Sequence, residues 1–107
     1  MLDKLYKVKN ALSTVPCSVN HFYALKKPNQ YIIWAEQSAG TQLFADNLKN
    51  DQSIIGTVDY FTKVDMDPNL ALIHEAMNTA EISLTLESVQ YEDETGYAHY
   101  EWRFEVV

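Results

Sequence analysis

The 107-residue chain contains only one cysteine, three glycines and three prolines, and it has no long apolar run. The lone cysteine, Cys17, has no partner for an internal disulfide or a thiolate metal cluster, which fits a reducing compartment. We expect Cys17 to be a small buried apolar side chain rather than a reactive thiol. No stretch approaches the roughly 20 apolar residues that span a bilayer, and the first residues lack a signal-peptide centre. We therefore expect no membrane segment, and a protein that stays where it is made.

Catalytic motifs are also missing from the chain. It contains no G-x-S-x-G elbow, no G-x-x-x-x-G-K or G-x-G-x-x-G phosphate loop and no H-E-x-x-H zinc motif. His21, His74 and His99 fall on different predicted elements, so a shared metal or proton-transfer site requires the fold to bring them together. The acidic run at residues 92–94 falls in a predicted exposed turn, where nothing separates the carboxyl pKa values as acid–base catalysis requires. We expect no catalytic, metal or cofactor-binding residues, and an enzyme using the histidines stays open as an alternative.

Charge is abundant but uneven. Fifteen acidic residues against eight basic ones give a net charge of −7, which argues against binding to nucleic-acid phosphates. Residues 1–30 carry five lysines and one aspartate, whereas residues 81–107 carry seven acidic residues and one arginine. Two interpretations stay open: an ordinary solvated surface, or complementary patches that meet when copies associate side by side. In the second interpretation, Lys4 and Lys7 belong to the basic contact surface.

Apolar residues make up 47% of the chain, enough for one packed core, and their spacing predicts two helices. The first helix follows from spacings of three and four among Leu2, Leu5, Val8 and Leu12. The second helix begins after Asp67, because an aspartate accepts amide hydrogen bonds as an N-cap and Pro68 suits the first helical position. Its buried stripe consists of Leu70, Ile73, Met77 and Ala80.

Three strands are predicted in the first two thirds of the chain, the first and third from alternating polarity and the second from a run that is apolar on both faces. The first strand spans residues 17–25, and a turn at residues 27–30 joins it as a hairpin to an apolar strand at 31–35. The third strand spans residues 53–64, where Gly56 marks either a bulge or a close approach of two backbones.

Two further strands follow the second helix. The fourth strand starts near Glu81, and the apolar parity shifts between Leu86 and Val89, as an inserted bulge residue causes. Gly96 supplies a left-handed position in the next turn. The last strand, residues 98–106, alternates strictly, with its apolar side facing the core. The prediction is a single α+β domain, residues 1–107, with the element order α-β-β-β-α-β-β and a mostly antiparallel sheet with both helices on one face.

A long polar segment, residues 38–52, interrupts this pattern. Leu43 and Phe44 are unusual within it, because burying such a pair inside a loop also buries unpaired backbone groups. The segment either folds back on its own sheet or reaches a neighbouring subunit. Leu43, Phe44 and Leu48 are its candidate contact residues.

Several stretches resemble one protein family. The stretch GTVDYFTK at residues 56–63, the Asp67-Pro68 helix start, and YEDETGY at residues 91–97 before the alternating last strand resemble phage and prophage tail-completion proteins. The likeness is to tail terminators of long-tailed phages and extends over nearly the whole chain.

The resemblance implies a ring, commonly of six subunits, that caps the tail tube and joins it to the head-side connector protein, without a cofactor. DNA passes through such a ring without specific binding, and an acidic lumen that repels phosphate agrees with the net charge. The implied location is the virion tail and, during assembly, the host bacterial cytoplasm. By position, residues 38–52 would dock on the tail tube or a neighbour. A small acidic inhibitor or immunity-type module is the other interpretation of the charge.

Overall fold

The computed structural model of the chain describes residues 2–37 and 53–107. These residues form two helices and five strands in the predicted order α-β-β-β-α-β-β. In chain order, the elements are α1 (Leu2–Leu12), β1 (Ser18–His21), β2 (Gln30–Glu36), β3 (Ile54–Thr62), α2 (Asn69–Thr79), β4 (Ser83–Glu92) and β5 (Tyr97–Val106). The predicted contact residues Leu43, Phe44 and Leu48 lie outside the described residues.

The five strands form one sheet in the order β1-β2-β3-β5-β4. Every neighbouring pair is antiparallel except β1 and β2, which are parallel. Both helices pack on the same face of this sheet, so the predicted α+β architecture is confirmed. The fully buried side chains of the shared core are Val8, Leu12, Ile32, Val58, Tyr60, Ile73, Met77, Phe104 and Val106.

The strand pattern in the sequence correctly identifies the face of β5 that packs on the helices. Trp102, Phe104 and Val106 are buried, as the strict alternation predicts. Gly56 of β3 pairs with Phe104 of β5, and the register does not shift there. A Cβ atom there would collide with the carbonyl oxygen of Ala35 and lie 2.6 Å from the Phe104 ring. Gly56 therefore marks a close approach and not a bulge.

The bulge predicted in β4 is present. The register of β4 against β5 shifts between Leu86 and Ser88, which places Leu86 and Val89 on the same face of the sheet. The β4–β5 turn closes with a hydrogen bond of 2.8 Å from the Gly96 amide to the Glu92 carbonyl oxygen. Gly96 has a φ of 81°, in the left-handed region predicted for it.

The prediction for the first strand is wrong in two respects. The strand ends at His21 instead of Leu25, because Phe22 adopts a φ of 73° and turns the chain out of the strand direction. It also pairs parallel to β2 instead of forming a hairpin with it. Because β1 has only four residues, the chain needs to retrace only roughly 13 Å before β2 begins. The return segment, residues 22–29, is held by the Tyr97 hydroxyl, whose single hydrogen is shared between the Lys27 and Pro28 carbonyl oxygens at 2.8 and 2.7 Å.

Helix α2 ends in a Schellman motif. The Ile82 amide donates to the Met77 carbonyl oxygen and the Glu81 amide donates to the Asn78 carbonyl oxygen, both at 2.9 Å. The left-handed residue of this motif is Glu81, with a φ of 61°, where glycine is usual. The helix end is therefore well bonded but strained at one residue. No helix in the described parts of the chain is long and apolar enough to cross a bilayer.

The strain at Glu81 predicts that Glu81→Gly stabilises the protein. Relief of the left-handed side-chain clash, less the extra entropy of glycine in the unfolded chain, should raise the free energy of unfolding by about 0.5–1 kcal/mol. Urea denaturation measures this change. The control is Glu81→Ala, which removes the carboxylate but keeps a Cβ atom. Equal stabilisation by both variants would attribute the gain to charge and contradict the backbone explanation.

Candidate protein-interaction surface

A buried carboxylate joins the sheet to the start of α2. Asp67 Oδ2 accepts hydrogen bonds from the hydroxyls of Tyr60 and Thr62, both at 2.6 Å, and from Gln30 Nε2 at 3.1 Å. Its Oδ1 accepts the Asn69 amide at 2.8 Å. Because Pro68 already has helical dihedral angles, with φ −65° and ψ −17°, this bond is the predicted N-cap bond of the helix. Asp67 is only 4% exposed, so these four donors replace its water shell. The arrangement is a fully bonded structural cap.

The charge state of Asp67 follows from those contacts. Burial alone would raise the pKa of the Asp67 carboxyl, but the hydrogen bonds from Thr62, Tyr60, the Asn69 amide and Gln30 outweigh it and lower that pKa. Burial and the Asp67 carboxylate raise the pKa of the Tyr60 hydroxyl, which keeps it a donor.

Burial, and secondarily the Asp67 charge, raises the pKa of the Cys17 thiol to about 11. Cys17 therefore stays a protonated, weakly nucleophilic thiol at neutral pH, and it packs against the core, although it is half-buried and so less buried than predicted.

The three histidines lie at separate places in the fold. His21 Nε2 is 2.7 Å from Glu36 Oε1 at the end of β1. His74 lies on α2, where its Nε2 accepts a hydrogen bond of 3.2 Å from Trp102 Nε1. His99 lies on the opposite face of the sheet, in β5. Within residues 2–37 and 53–107, no three His, Cys, Asp or Glu side chains are grouped to hold a metal ion.

The sheet face away from the helices carries a cluster of aromatic rings. The Phe61 ring stacks between Tyr31, at a centroid distance of 4.8 Å, and His99, at 4.2 Å. Tyr97 packs edge-on against Tyr31 and Phe61. His99 Nε2 is also 2.9 Å from Asp59 Oδ1. These rings cover one end of the face without help from a helix.

Charge on the same face limits what these rings can bind. Register places Asp59, Glu101 and Glu105 on this face, together with Arg103. Aromatic platforms that stack nucleic-acid bases combine their rings with a positively charged groove. The carboxylates here would repel a phosphate backbone, and the cations near the rings are Arg103 and Lys63, whose Nζ lies 4.8 Å from the Tyr97 ring centroid.

The β4 edge is the most apolar exposed strand surface in the described chain. Leu86, Val89 and Tyr91 point to the helix side of the sheet, yet they are 50%, 52% and 67% exposed, because neither helix covers them. The outer backbone of this ten-residue strand pairs with no other described strand. Sequence parity correctly assigns the face of these residues but not their exposure. A long apolar edge of this kind is a template for pairing with another chain.

The opposite edge of the sheet, at β1, is also free among the described strands. A groove of about 510 Å³ runs along it. Its lining consists of Ser18, Val19, Asn20, His21, Tyr23, Leu25 and Lys26. Tyr23 and Leu25, predicted as strand residues, are instead 66% and 86% exposed beyond the strand end. In the sequence, Phe22 interrupts the alternation of apolar and polar residues. This interruption indicates where the strand ends.

A smaller groove lies beside the β1 edge on the helix side. It has a volume of about 230 Å³ and separates the first half of α1 from the sheet. The residues that line it are Leu2, Leu5, Tyr6, Lys9, His21 and Trp34. Leu2 and Tyr6 are more than half exposed. The groove is therefore an apolar depression with a basic rim.

Lys4 and Lys7 both lie on α1, as predicted. Lys4 is half-buried, and Lys7 is exposed beside the groove between α1 and α2, whose other wall includes Glu75. The two lysines thus belong to the helix layer, and the lysine that lines the smaller groove beside the β1 edge is Lys9.

No protein-family model matches the chain, and no curated protein sequence matches it either.

The Asp67 network predicts a large and pH-dependent loss of stability in Asp67→Asn. The variant loses charge-assisted acceptance from Tyr60 and Thr62, which should lower the free energy of unfolding at pH 7 by roughly 2 kcal/mol. Because the folded-state pKa of Asp67 is lowered, its contribution is complete above the unfolded pKa of about 3.9 and is lost as pH falls through the folded value. The difference between variant and wild type should therefore shrink in acid.

Urea denaturation at pH 7 and near pH 3 tests this expectation. The control is Asp65→Asn, which changes an exposed aspartate two residues away and should alter stability by less than about 0.5 kcal/mol. A stability difference for Asp67→Asn that does not change with pH would show that the ionised carboxylate is not what stabilises the cap.

Proposed function

We propose that this chain is a structural subunit of a phage or prophage tail-completion complex, in which copies associate side by side into a ring. The ring caps the tail tube and joins it to the head-side connector, and DNA passes through its lumen. The observation that carries the proposal is the long β4 edge with Leu86, Val89 and Tyr91 exposed on one side. A monomer would have to keep that surface in water at the cost of aggregation. In an assembly subunit, that surface would be buried against a neighbouring molecule.

The distribution of charge supports self-association. Of the five lysines in residues 1–30, Lys9 and Lys26 line the two grooves beside β1, whereas Lys4 and Lys7 lie in the helix layer on α1. Residues 81–94 carry five carboxylates and no basic residue, and they form β4 and its flanking turns at the other side. Opposite charges on opposite edges favour association of one copy's basic side with the next copy's acidic side.

The polar side chains that suggested chemistry in the sequence have structural partners. Asp67 caps a helix, His99 contacts Asp59, and His74 accepts a hydrogen bond from Trp102. These contacts order the fold, which supports a scaffold role over an enzyme. The proposed locations are the virion tail and, before assembly, the bacterial cytoplasm.

The acidic concentration at residues 81–94 also favours a second candidate, an inhibitor or immunity-type module. In that function, the carboxylates cover the basic surface of a different protein. The two candidates differ in solution, because the module is a stable monomer that forms a one-to-one complex.

The ring proposal predicts oligomers of this 12.3 kDa chain. Size-exclusion chromatography with light scattering across a concentration series should show a species of several times the monomer mass. Its share should fall in about 1 M NaCl, where charge attraction beyond roughly 3 Å is screened. A strict monomer at every concentration, with no binding to tail-tube protein, would contradict the proposal. A one-to-one complex with a basic protein would then favour the inhibitor module.

A separate prediction concerns the segment 38–52, from its sequence alone. Replacing Leu43 and Phe44 together with Ser should leave the fold unchanged by circular dichroism and reduce binding to tail-tube protein at least tenfold, as loss of two apolar anchors does. The matched control is the double replacement of Val64 and Met66 with Ser, since both are exposed apolar residues in the β3–α2 connection. Undiminished binding of the Leu43 and Phe44 variant would remove this segment from the docking surface.

A further inference from the structure

Rows of paired residues cross the sheet from one free edge to the other. On the helix side, Leu86 of β4 pairs with Trp102, Trp102 with Val58, Val58 with Trp34, and Trp34 with His21 of β1. The next row on the same side runs in the same way from Val89 to Val19. The exposed apolar residues of β4 and the grooved β1 edge therefore lie at the same level of the sheet.

We propose that β4 of one copy pairs antiparallel with β1 of the next copy, so that these rows continue from subunit to subunit. This inference rests on the proposed function and specifies which surfaces associate. The strand directions permit it, because β4 runs antiparallel to β5 and β5 runs parallel to β2 and β1. In this register, Leu86 lies opposite His21 of the next copy, and Val89 lies opposite Val19.

The side chains at the two edges fit this junction. On the helix side, β4 presents Leu86 and Val89 and β1 presents Val19 and His21, so a continued sheet brings Leu86 to the depression between α1 and the sheet of the next copy. That depression is lined by apolar Leu2, Leu5, Tyr6 and Trp34. At about 230 Å³, it is large enough for a leucine side chain. The junction thus buries apolar groups on both partners while it pairs both free backbones.

Charge determines which pairs of edges associate. Two β4 edges facing each other would bring Glu87 and Glu92 of one copy close to the same residues of the other, and like charges across strands are destabilising. The β1 edge instead carries Lys9 and Lys26 in its two grooves, against the carboxylate of Glu36, which contacts His21. Pairing β4 with β1 therefore joins unlike charges, and pairing β4 with β4 joins like charges. The favoured contact is heterologous, the type that generates rings or filaments rather than two-fold dimers.

Disulfide trapping tests the register. On the face away from the helices, another row runs from Gln90 through His99, Phe61 and Tyr31 to Ser18. It places Gln90 opposite Ser18 of the next copy, and both side chains are exposed. Within one copy, these residues lie four strand spacings apart, roughly 19 Å, too far for a disulfide. The full chain carrying both Ser18→Cys and Gln90→Cys should, on mild oxidation, give a ladder of dimers, trimers and larger covalent species in non-reducing gels.

Each alternative arrangement of the subunits predicts a different pattern of bands on the gel. The single variants Ser18→Cys and Gln90→Cys control for Cys17 and should give no species beyond a dimer. The matched double variant Ser18→Cys with Thr85→Cys places the second thiol on the same face of β4, about 14 Å further along, and should give no ladder. A ladder from that variant instead would contradict the proposed register. Dimers from Gln90→Cys alone, with no ladder from the double variant, would contradict the heterologous contact.

A charge placed at the junction tests the apolar contact. Leu86→Lys should weaken self-association at least tenfold in concentration-dependent light scattering, because a lysine replaces the leucine that enters the depression. Met66→Lys introduces the same charge at an 88% exposed residue away from both edges and should leave association unchanged. Oligomers that persist in Leu86→Lys and form no ladder in the Ser18 and Gln90 variant would overturn the edge pairing and leave the ring proposal standing. A wild-type monomer overturns both.

Discussion

The Asp67 carboxylate connects two strands of the sheet to the start of α2, and the positions of the later elements depend on that connection. Its donors come from β2, from β3 and from the first turn of α2, so one buried anion fixes the helix start relative to two strands. A buried carboxylate is stable only when its hydrogen bonds are complete. The helix therefore has a single well-bonded position over the sheet, and Ile73 and Met77 reach the core from it.

Placement of α2 in turn decides where the last two strands lie. The helix ends in the Schellman motif at Glu81, and the chain enters β4 directly afterwards. Because β5 then inserts between β3 and β4, β4 becomes the outer strand of the sheet. At the other side, the short β1 becomes the second edge. The sheet thus has two unlike edges, one beside the basic N-terminal residues and one among the acidic residues that follow α2.

The two edges of this sheet differ in charge, and this difference restricts the unspecific pairing to which exposed sheet edges are prone. A long apolar edge such as β4 associates with any accessible strand unless charges restrict its choice. Here the carboxylates around β4 oppose contact between two β4 edges, while the lysines near β1 favour contact between different edges. In the proposed ring, the same charges that prevent uncontrolled pairing would select the productive one.

The sequence alone determined most of the local structure. Apolar spacing located both helices, the β4 bulge and the inward face of β5, because these depend on side-chain parity along one segment. The residue types at Asp67 and Pro68 located the helix cap. Asp67 was predictable as a cap, but its bond to Gln30 was not, since Gln30 lies 37 residues earlier in the chain.

Only the tertiary structure decided the pairing of β1, the strand order and the exposure of Leu86, Val89 and Tyr91. The alternation through residues 17–25 predicted a longer strand and a hairpin, but the left-handed Phe22 and the Tyr97 contact with the return segment overrode it. Parity states which face of a strand a side chain occupies. Whether a helix or another molecule covers that face depends on where distant elements pack, which no local pattern encodes.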